Sequence, residues 1–133
     1  MSATVITKPE TIIAPDLLRK FKAQVEEQGQ VVLHFLLDNY GMSDTLIRIW
    51  PTTYLYDQLS PHKSELVHAE NITFFPHWTA YPPGQQAYFT LIFTGLPKSC
   101  TMFDFIEHCD NQIGAFKVLN IKRNKSDVYY LKI

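Results

Sequence analysis

The feature that most constrains the fold of this chain is the stretch Tyr88–Glu107, in which two runs of alternating side chains flank a short break. Successive side chains point to opposite faces of an extended strand. One face of the first run is entirely apolar and is predicted to be core: Ala87, Phe89, Leu91 and Phe93. The other face is mixed and rich in β-branched residues, as on a half-solvated sheet face: Tyr88, Thr90, Ile92 and Thr94.

The break between the two runs is predicted to be a turn. Pro97 has a fixed φ and no N–H, so it suits the second position of a turn over Leu96–Ser99. Beyond the turn, Phe103 and Phe105 face one way, and Asp104 and Ile106 the other. A helix is the alternative, because Met102, Phe105, Ile106 and Cys109 also fit a three-four spacing. The aromatic and β-branched content favours a strand.

Further segments of the chain are β-prone and are separated by turn signals. They are Leu46–Trp50, Thr53–Asp57, Glu65–Phe75, Phe116–Ile121 and Val128–Ile133, with turns predicted at Ser60–Lys63 and Lys122–Asp127. About seven to nine short strands at this spacing predict an all-β fold, an antiparallel two-sheet sandwich or a barrel, in one domain over residues 1–133.

The first third of the chain leaves two alternatives open. Residues 1–14 are predicted to be a loose arm or an edge strand through Ile12 and Ile13. Pro15–Gln28 has helix punctuation, with Pro at its start and Gly29 after its end, but its charges oppose the helix dipole. A hairpin that returns through Val31–Leu37 is favoured over the helix.

The composition excludes several classes of protein. A net charge of −1 argues against a chain that mainly neutralises nucleic acid or lies on an anionic membrane. No apolar run approaches the roughly 20 residues of a membrane helix, and the N-terminus has no signal-peptide pattern, so a cytoplasmic location is expected. The spacing of Cys100 and Cys109 fits neither a redox motif nor a zinc knuckle, and two free thiols are expected.

Four segments resemble a group of small uncharacterised bacterial proteins of the kind found in Bacteroidetes. The segments are Arg48–Asp57, His68–Trp78, Phe89–Glu107 and Asn120–Ile133. The resemblance implies an immunoglobulin-like β-sandwich and covers roughly the last two thirds of the chain. It implies no catalytic residues.

Candidate chemical groups in the sequence are few. The five histidines form no metal-ligand pair at a useful spacing, and a zinc site from His68, Glu70 and His77 is a minor alternative. His34 is predicted to lie on a solvated face. A nucleophile at Cys100 lacks an elbow motif, so the predictions are no enzyme, no cofactor and no metal site. The basic residues Lys122, Arg123 and Lys125 are interpreted as a solvated hairpin turn.

The best functional candidate is the loop Phe74–Pro83, which combines four aromatic residues with three prolines. Large rigid aromatics dominate protein interfaces. The predicted binding residues are Phe74, Phe75, His77, Trp78 and Tyr81. They predict a non-catalytic module that binds a protein partner or a second copy of itself. For the loop itself, the alternatives are aromatics that only cover one end of the core, or that bind a small ligand such as a sugar or grip a Pro-rich peptide. For the protein as a whole, they are a cryptic enzyme or metal protein built from dispersed His, Asp and Cys, and a structural subunit of a larger assembly.

Overall fold

A computed structural model describes residues 29–39, 41–110 and 114–133, together with the backbone of residues 4–6. These ranges contain eleven strands and no helix, so the described part of the chain is all-β, as predicted. The strands are β1 (Thr4–Ile6), β2 (Val31–Leu37), β3 (Thr45–Ile49), β4 (Thr53–Asp57), β5 (Lys63–Glu70), β6 (Thr73–Phe74), β7 (Thr79–Tyr81), β8 (Ala87–Phe93), β9 (Met102–Glu107), β10 (Lys117–Lys122) and β11 (Val128–Lys132). The number exceeds the predicted seven to nine because β1, β6 and β7 are only two or three residues long.

The strands form two sheets. The larger has eight strands in the order β1-β11-β2-β8-β5-β4-β9-β10, and the smaller has the order β6-β3-β7. Most neighbours are antiparallel, but β11 runs parallel to β2, and β3 runs parallel to β6. The prediction of an antiparallel fold is therefore confirmed only for the majority of strand pairs.

The larger sheet curls at β5. The first part of this strand pairs with β4 and the rest pairs with β8, with a register shift between Leu66 and His68. A shift of this kind bends a strand and increases its twist. The two ends of the sheet therefore face each other, and Phe35 of β2 packs on Phe105 of β9 with ring centroids 5.0 Å apart. The apolar core lies between them.

The two strands predicted at Tyr88–Glu107 are confirmed as β8 and β9, and the helix alternative for Met102–Cys109 is wrong. The two strands are not neighbours in the sheet, since β8 pairs with β2 and β5 whereas β9 pairs with β4 and β10. Their connection crosses the core, across which Phe93 and Phe105 meet edge to face. Its hydrogen-bonded turn runs from Pro97 to Cys100, one residue later than predicted.

The core face of β8 is predicted correctly, but the centre of its second face is buried, and only Tyr88 and Thr94 at its ends are partly exposed. Thr90 is 7% exposed and Ile92 is 2% exposed. Ile92 belongs to a second apolar cluster with Val32 and Val128, against which Tyr130 packs. Both faces of this part of the sheet are therefore buried, which a period of two in one strand does not reveal.

The polar segment between Lys122 and Val128 is not a hairpin turn. β10 pairs with β9, whereas β11 pairs with β1 and β2, so the segment crosses between the two ends of the curled sheet. Arg123 is half-buried there: it donates to Asp127 and to the carbonyl oxygens of Pro97 and Cys100. The arginine thus joins the two crossing connections, and the interpretation of Lys122, Arg123 and Lys125 as a solvated cluster is wrong for Arg123.

The described residues answer only part of the predictions for the first third of the chain. Thr4–Ile6 forms an edge strand on β11. Ile12, Ile13 and the choice between helix and hairpin for Pro15–Gln28 lie outside the described residues, and the single-domain assignment stays a prediction. β2 itself is an internal strand, with β8 on one edge and β11 on the other. In the described ranges, no helix has the length and apolar character needed to span a membrane.

Candidate functional site

The candidate site lies on the small sheet, where β3 supplies alternating side chains. Ile47 and Ile49 are buried in the core, whereas Leu46 is exposed and Arg48 is half-buried. β3 is flanked by β6 on one edge and β7 on the other. The segment between β6 and β7 is therefore held beside Arg48 by backbone pairing on both sides.

The turn between β6 and β7 places Phe75 against Trp50. The His77 N–H donates to the Phe74 carbonyl oxygen at 3.0 Å, and the enclosed Phe75–Pro76 peptide bond is cis. The Phe75 N–H donates to the carbonyl oxygen of Ile49 at 2.9 Å. The rings of Phe75 and Trp50 stack with centroids 3.8 Å apart and an interplanar angle of 23°.

Arg48 completes the group. Its guanidinium carbon lies 3.9 Å from the centroid of Trp78, 4.7 Å from that of Phe75 and 5.7 Å from that of Trp50. These distances fall in the range of cation–π attraction. We call Arg48, Trp50, Phe75 and Trp78 the arginine–aromatic cluster. Trp78 is 52% exposed and Phe75 is 40% exposed, so the cluster is a surface feature.

A cavity of about 370 Å³ adjoins the cluster and is also lined by Glu107, Asp110 and Phe116. This volume falls in the lower part of the range of small-molecule and peptide side-chain sites. Glu107 is 3% exposed. Its carboxylate accepts the N–H of Trp50 and the N–H of Phe116, each at 2.9 Å. Burial raises the pKa of Glu107, while these two N–H groups and the charge of Arg48 act in the opposite direction.

The structure brings together only two of the five predicted binding residues, Phe75 and Trp78. His77 is exposed on the turn between β6 and β7, and Phe74 is exposed at the end of β6. Tyr81 lies apart from the cluster, because its hydroxyl donates to the carbonyl oxygen of Asn71 at 2.7 Å and lies 3.3 Å from that of Tyr88.

Sequence reasoning missed Arg48 and Trp50. The available signal was the alternation of Leu46, Arg48 and Trp50 with the apolar residues Ile47 and Ile49 in the predicted strand Leu46–Trp50. It places a cation and an aromatic ring on one face, but the pairing of that face with a loop some 25 residues later depends on tertiary structure.

Two nucleophile candidates do not have the environment of a reactive group. Burial raises the pKa of the Cys100 thiol, and Asp57 acts in the same direction, so the thiolate is disfavoured. Ser64 lies 3.0 Å from His62 Nε2, but it is fully buried and lies 3.0 Å from the Gly95 carbonyl oxygen, to which it donates. Neither arrangement resembles an activated nucleophile.

Among the described residues, no three His, Cys, Asp or Glu side chains come together as a metal site. Of the three residues named for zinc, His68 and Glu70 contact each other at 3.1 Å. The prediction that His34 is solvated is wrong. It is 3% exposed, hydrogen-bonded through Nδ1 to Thr90 and stacked on Tyr130.

Comparison with models of known protein families, with curated proteins and with solved structures finds no match for this chain. The function is therefore inferred from the geometry of the cluster.

Proposed function

We propose that this domain is a non-catalytic interaction module that binds a protein partner through the arginine–aromatic cluster. The observation that supports it is Trp78, a large side chain that is half-exposed yet held over the Arg48 guanidinium. Trp and Arg are the residue types most enriched among energetically dominant interface contacts. Exposed apolar surface of this kind on a folded domain commonly marks an interaction site.

The cluster is also ordered before a partner arrives. Phe75 is fixed by its backbone hydrogen bond to Ile49 and by stacking on Trp50. The backbone N–H of Trp50 in turn donates to the Glu107 carboxylate. Association costs free energy when side chains must be immobilised, at about 0.5–1.5 kcal/mol for each flexible side chain. A surface whose rings are already stacked avoids much of that cost, which favours binding over mere coverage of the core.

A displayed library of random peptides, selected on the immobilised protein, tests the proposal. We expect enriched peptides to bind the wild type and to lose most of their affinity for Trp78→Ala and Phe75→Ala. Leu119→Ala is the matched control, because Leu119 is 48% exposed on β10, outside the cluster. Peptides that bind the Trp78 and Leu119 variants equally well contradict the proposal.

Self-association through the same surface is the second form of the proposal. Sedimentation velocity over a range of concentrations distinguishes it, because a dimer that uses the cluster dissociates in Trp78→Ala and persists in Leu119→Ala. A wild type that stays monomeric at every concentration contradicts self-association, and the proposed partner is then a different protein.

We also infer an immunoglobulin-like β-sandwich and a cytoplasmic bacterial protein. The curled sheet, with its ends packed through a shared core and joined by crossing connections, supports the first inference. Cell fractionation tests the second, which a membrane-associated or secreted chain contradicts.

A further inference from the structure

We infer that the partner presents a carboxylate side chain next to an apolar one, and that the carboxylate binds the edge of the Arg48 guanidinium. This inference rests on the proposed function, since it names the chemistry of the partner for the same cluster. The inference rests on two features of the cluster: the ring faces are already occupied by a cation, whereas the edge of the guanidinium has hydrogen-bond donors that no described residue uses.

The aromatic faces of the cluster already hold a cation. The guanidinium of Arg48 lies over Trp78 and Phe75, with Trp50 at a longer distance. A cationic partner would have to displace Arg48 from these rings before it gained the same interaction. The cluster therefore disfavours a basic partner.

Within the described part of the chain, the edge of the guanidinium has hydrogen-bonding capacity that is not used. Arginine carries five N–H donors in a planar fork that matches a carboxylate. Among the described residues, this fork donates from Nη1 to the Pro76 carbonyl oxygen, at a long 3.5 Å. None of the ion pairs within the described ranges involves Arg48.

The nearby carboxylates do not supply that partner. Both oxygens of Glu107 accept backbone N–H groups, so this buried group is committed to positioning Trp50 and Phe116. Asp110 lines the same cavity and is exposed. Its charge opposes an incoming carboxylate, which makes it a useful site for a gain of affinity.

A peptide fits the surroundings better than a small anion. The cavity of about 370 Å³ lies beside Arg48 and has Phe75, Trp78 and Phe116 in its lining. Leu46 also lines the cavity and is 54% exposed, so it adds apolar surface at the opening. A carboxylate flanked by an apolar side chain would use both features, whereas a small anion would use only the guanidinium.

The test begins with the composition of the peptides selected from the random library. We expect enrichment of Asp or Glu adjacent to a Leu, Phe or Trp. An enriched acidic peptide and its Asn/Gln counterpart are then titrated by fluorescence anisotropy against the wild type and variants. Replacing the carboxylate, or Arg48→Gln, should weaken binding about tenfold or more, as expected for loss of a charge-assisted hydrogen bond.

Two further variants keep the experiment informative if Arg48→Gln folds poorly. Asp110→Asn should strengthen binding of the acidic peptide by about twofold to fivefold, because it removes a like charge. Lys63→Gln should leave affinity unchanged, because Lys63 lies over Tyr54, which does not line this cavity. A gain of affinity cannot result from misfolding.

The outcomes separate this inference from the proposed function. Neutral or basic peptides that need Trp78 but not Arg48 overturn the acidic-partner inference and leave the interaction module intact. Weaker binding in Asp110→Asn likewise overturns it, because it indicates a cationic partner. Sodium acetate that displaces the peptide beyond the effect of equal sodium chloride indicates a small-carboxylate site and overturns the assignment to a peptide. If no enriched peptide depends on Trp78, both inferences fail.

Discussion

The guanidinium carbon of Arg48 lies 3.9 Å from the centroid of the Trp78 ring, on a surface where the indole is 52% exposed. At such a site a cation–π contact contributes about 0.5–1 kcal/mol. Trp78→Ala is therefore expected to lower the free energy of unfolding by only about 1 kcal/mol. The fully buried Phe103 is the comparison, with an expected loss of about 3–5 kcal/mol for Phe103→Ala.

Urea unfolding of both variants, with a double-mutant cycle between Arg48 and Trp78, checks this prediction. A coupling of about 0.5–1 kcal/mol is expected. If Trp78→Ala costs as much as Phe103→Ala, the aromatic residues mainly complete the core and the case for a binding surface is lost.

Replacements on the two faces of β8 should differ in their physical cause. Leu91→Ala leaves a cavity in the main core, since Leu91 is fully buried, and should cost about 2–5 kcal/mol. Thr90→Ala deprives His34 Nδ1 of its 2.8 Å hydrogen bond to the threonine hydroxyl. Losing one partner of a buried pair costs about 1–3 kcal/mol.

Equilibrium unfolding compares the two β8 variants with Thr101→Ala, at an exposed position in the connection that follows. The sequence alone predicts a loss at Thr90 far below that at Leu91. A Thr90→Ala protein as stable as Thr101→Ala would show that the second face of β8 is solvated after all.

The sequence predicts the strands because strand formation depends on the pattern of residues that are close together in the chain. β4 has the predicted bounds of Thr53–Asp57, and Phe103 and Phe105 point to the core as their alternation indicates. Pairing between strands is not local. The two strands of Tyr88–Glu107 are consecutive in the sequence, yet β5 and β4 lie between them in the curled sheet, and β5 has a register shift where its pairing passes from one side to the other.

The candidate site shows the same division. Phe75 and Trp78 are found from their position in an aromatic, Pro-rich loop. Tyr81, in the same loop, does not join the cluster, because its hydroxyl donates to the carbonyl oxygen of Asn71. Arg48 enters the site through parallel pairing of β3 with β6, a contact that no spacing in the sequence encodes.

Arg123 is expected to stabilise the fold although it lies in a polar, basic segment. It donates to the Asp127 carboxylate at 2.6 and 2.8 Å, and to the carbonyl oxygens of Pro97 and Cys100 at 2.6 and 3.2 Å. Arg123→Met should cost about 2–4 kcal/mol, because it leaves a half-buried carboxylate and two carbonyl groups without these donors. Lys125→Met, at an exposed position two residues later, is the control.

Thermal and urea unfolding of the two variants provide the measurement. Arg123→Lys should fall between wild type and Arg123→Met, since an ammonium group keeps the charge but lacks the planar fork. Equal stabilities of the Arg123 and Lys125 methionine variants would show that the crossing connections do not depend on the arginine.

The protein should become less stable as the pH falls through the titration range of His34. Burial lowers the pKa of this histidine from 6.5 to about 4, so the folded state favours the neutral ring. Above pH 6.5 the ring is neutral in both states and contributes no penalty. As the pH falls from 6.5 to 4, the unfolded chain takes up the proton first, and the unfolded state is favoured by up to about 3 kcal/mol.

Urea unfolding at several pH values across this window measures the effect as a slope, which separates it from a uniform structural loss. His34→Gln should flatten the slope even if it lowers stability at every pH, because the amide does not titrate. His77→Gln replaces an exposed histidine and should leave the slope unchanged. A His34→Gln protein with the wild-type slope would assign the acid sensitivity to other groups and would mean that the buried ring accepts a proton without loss of folding free energy.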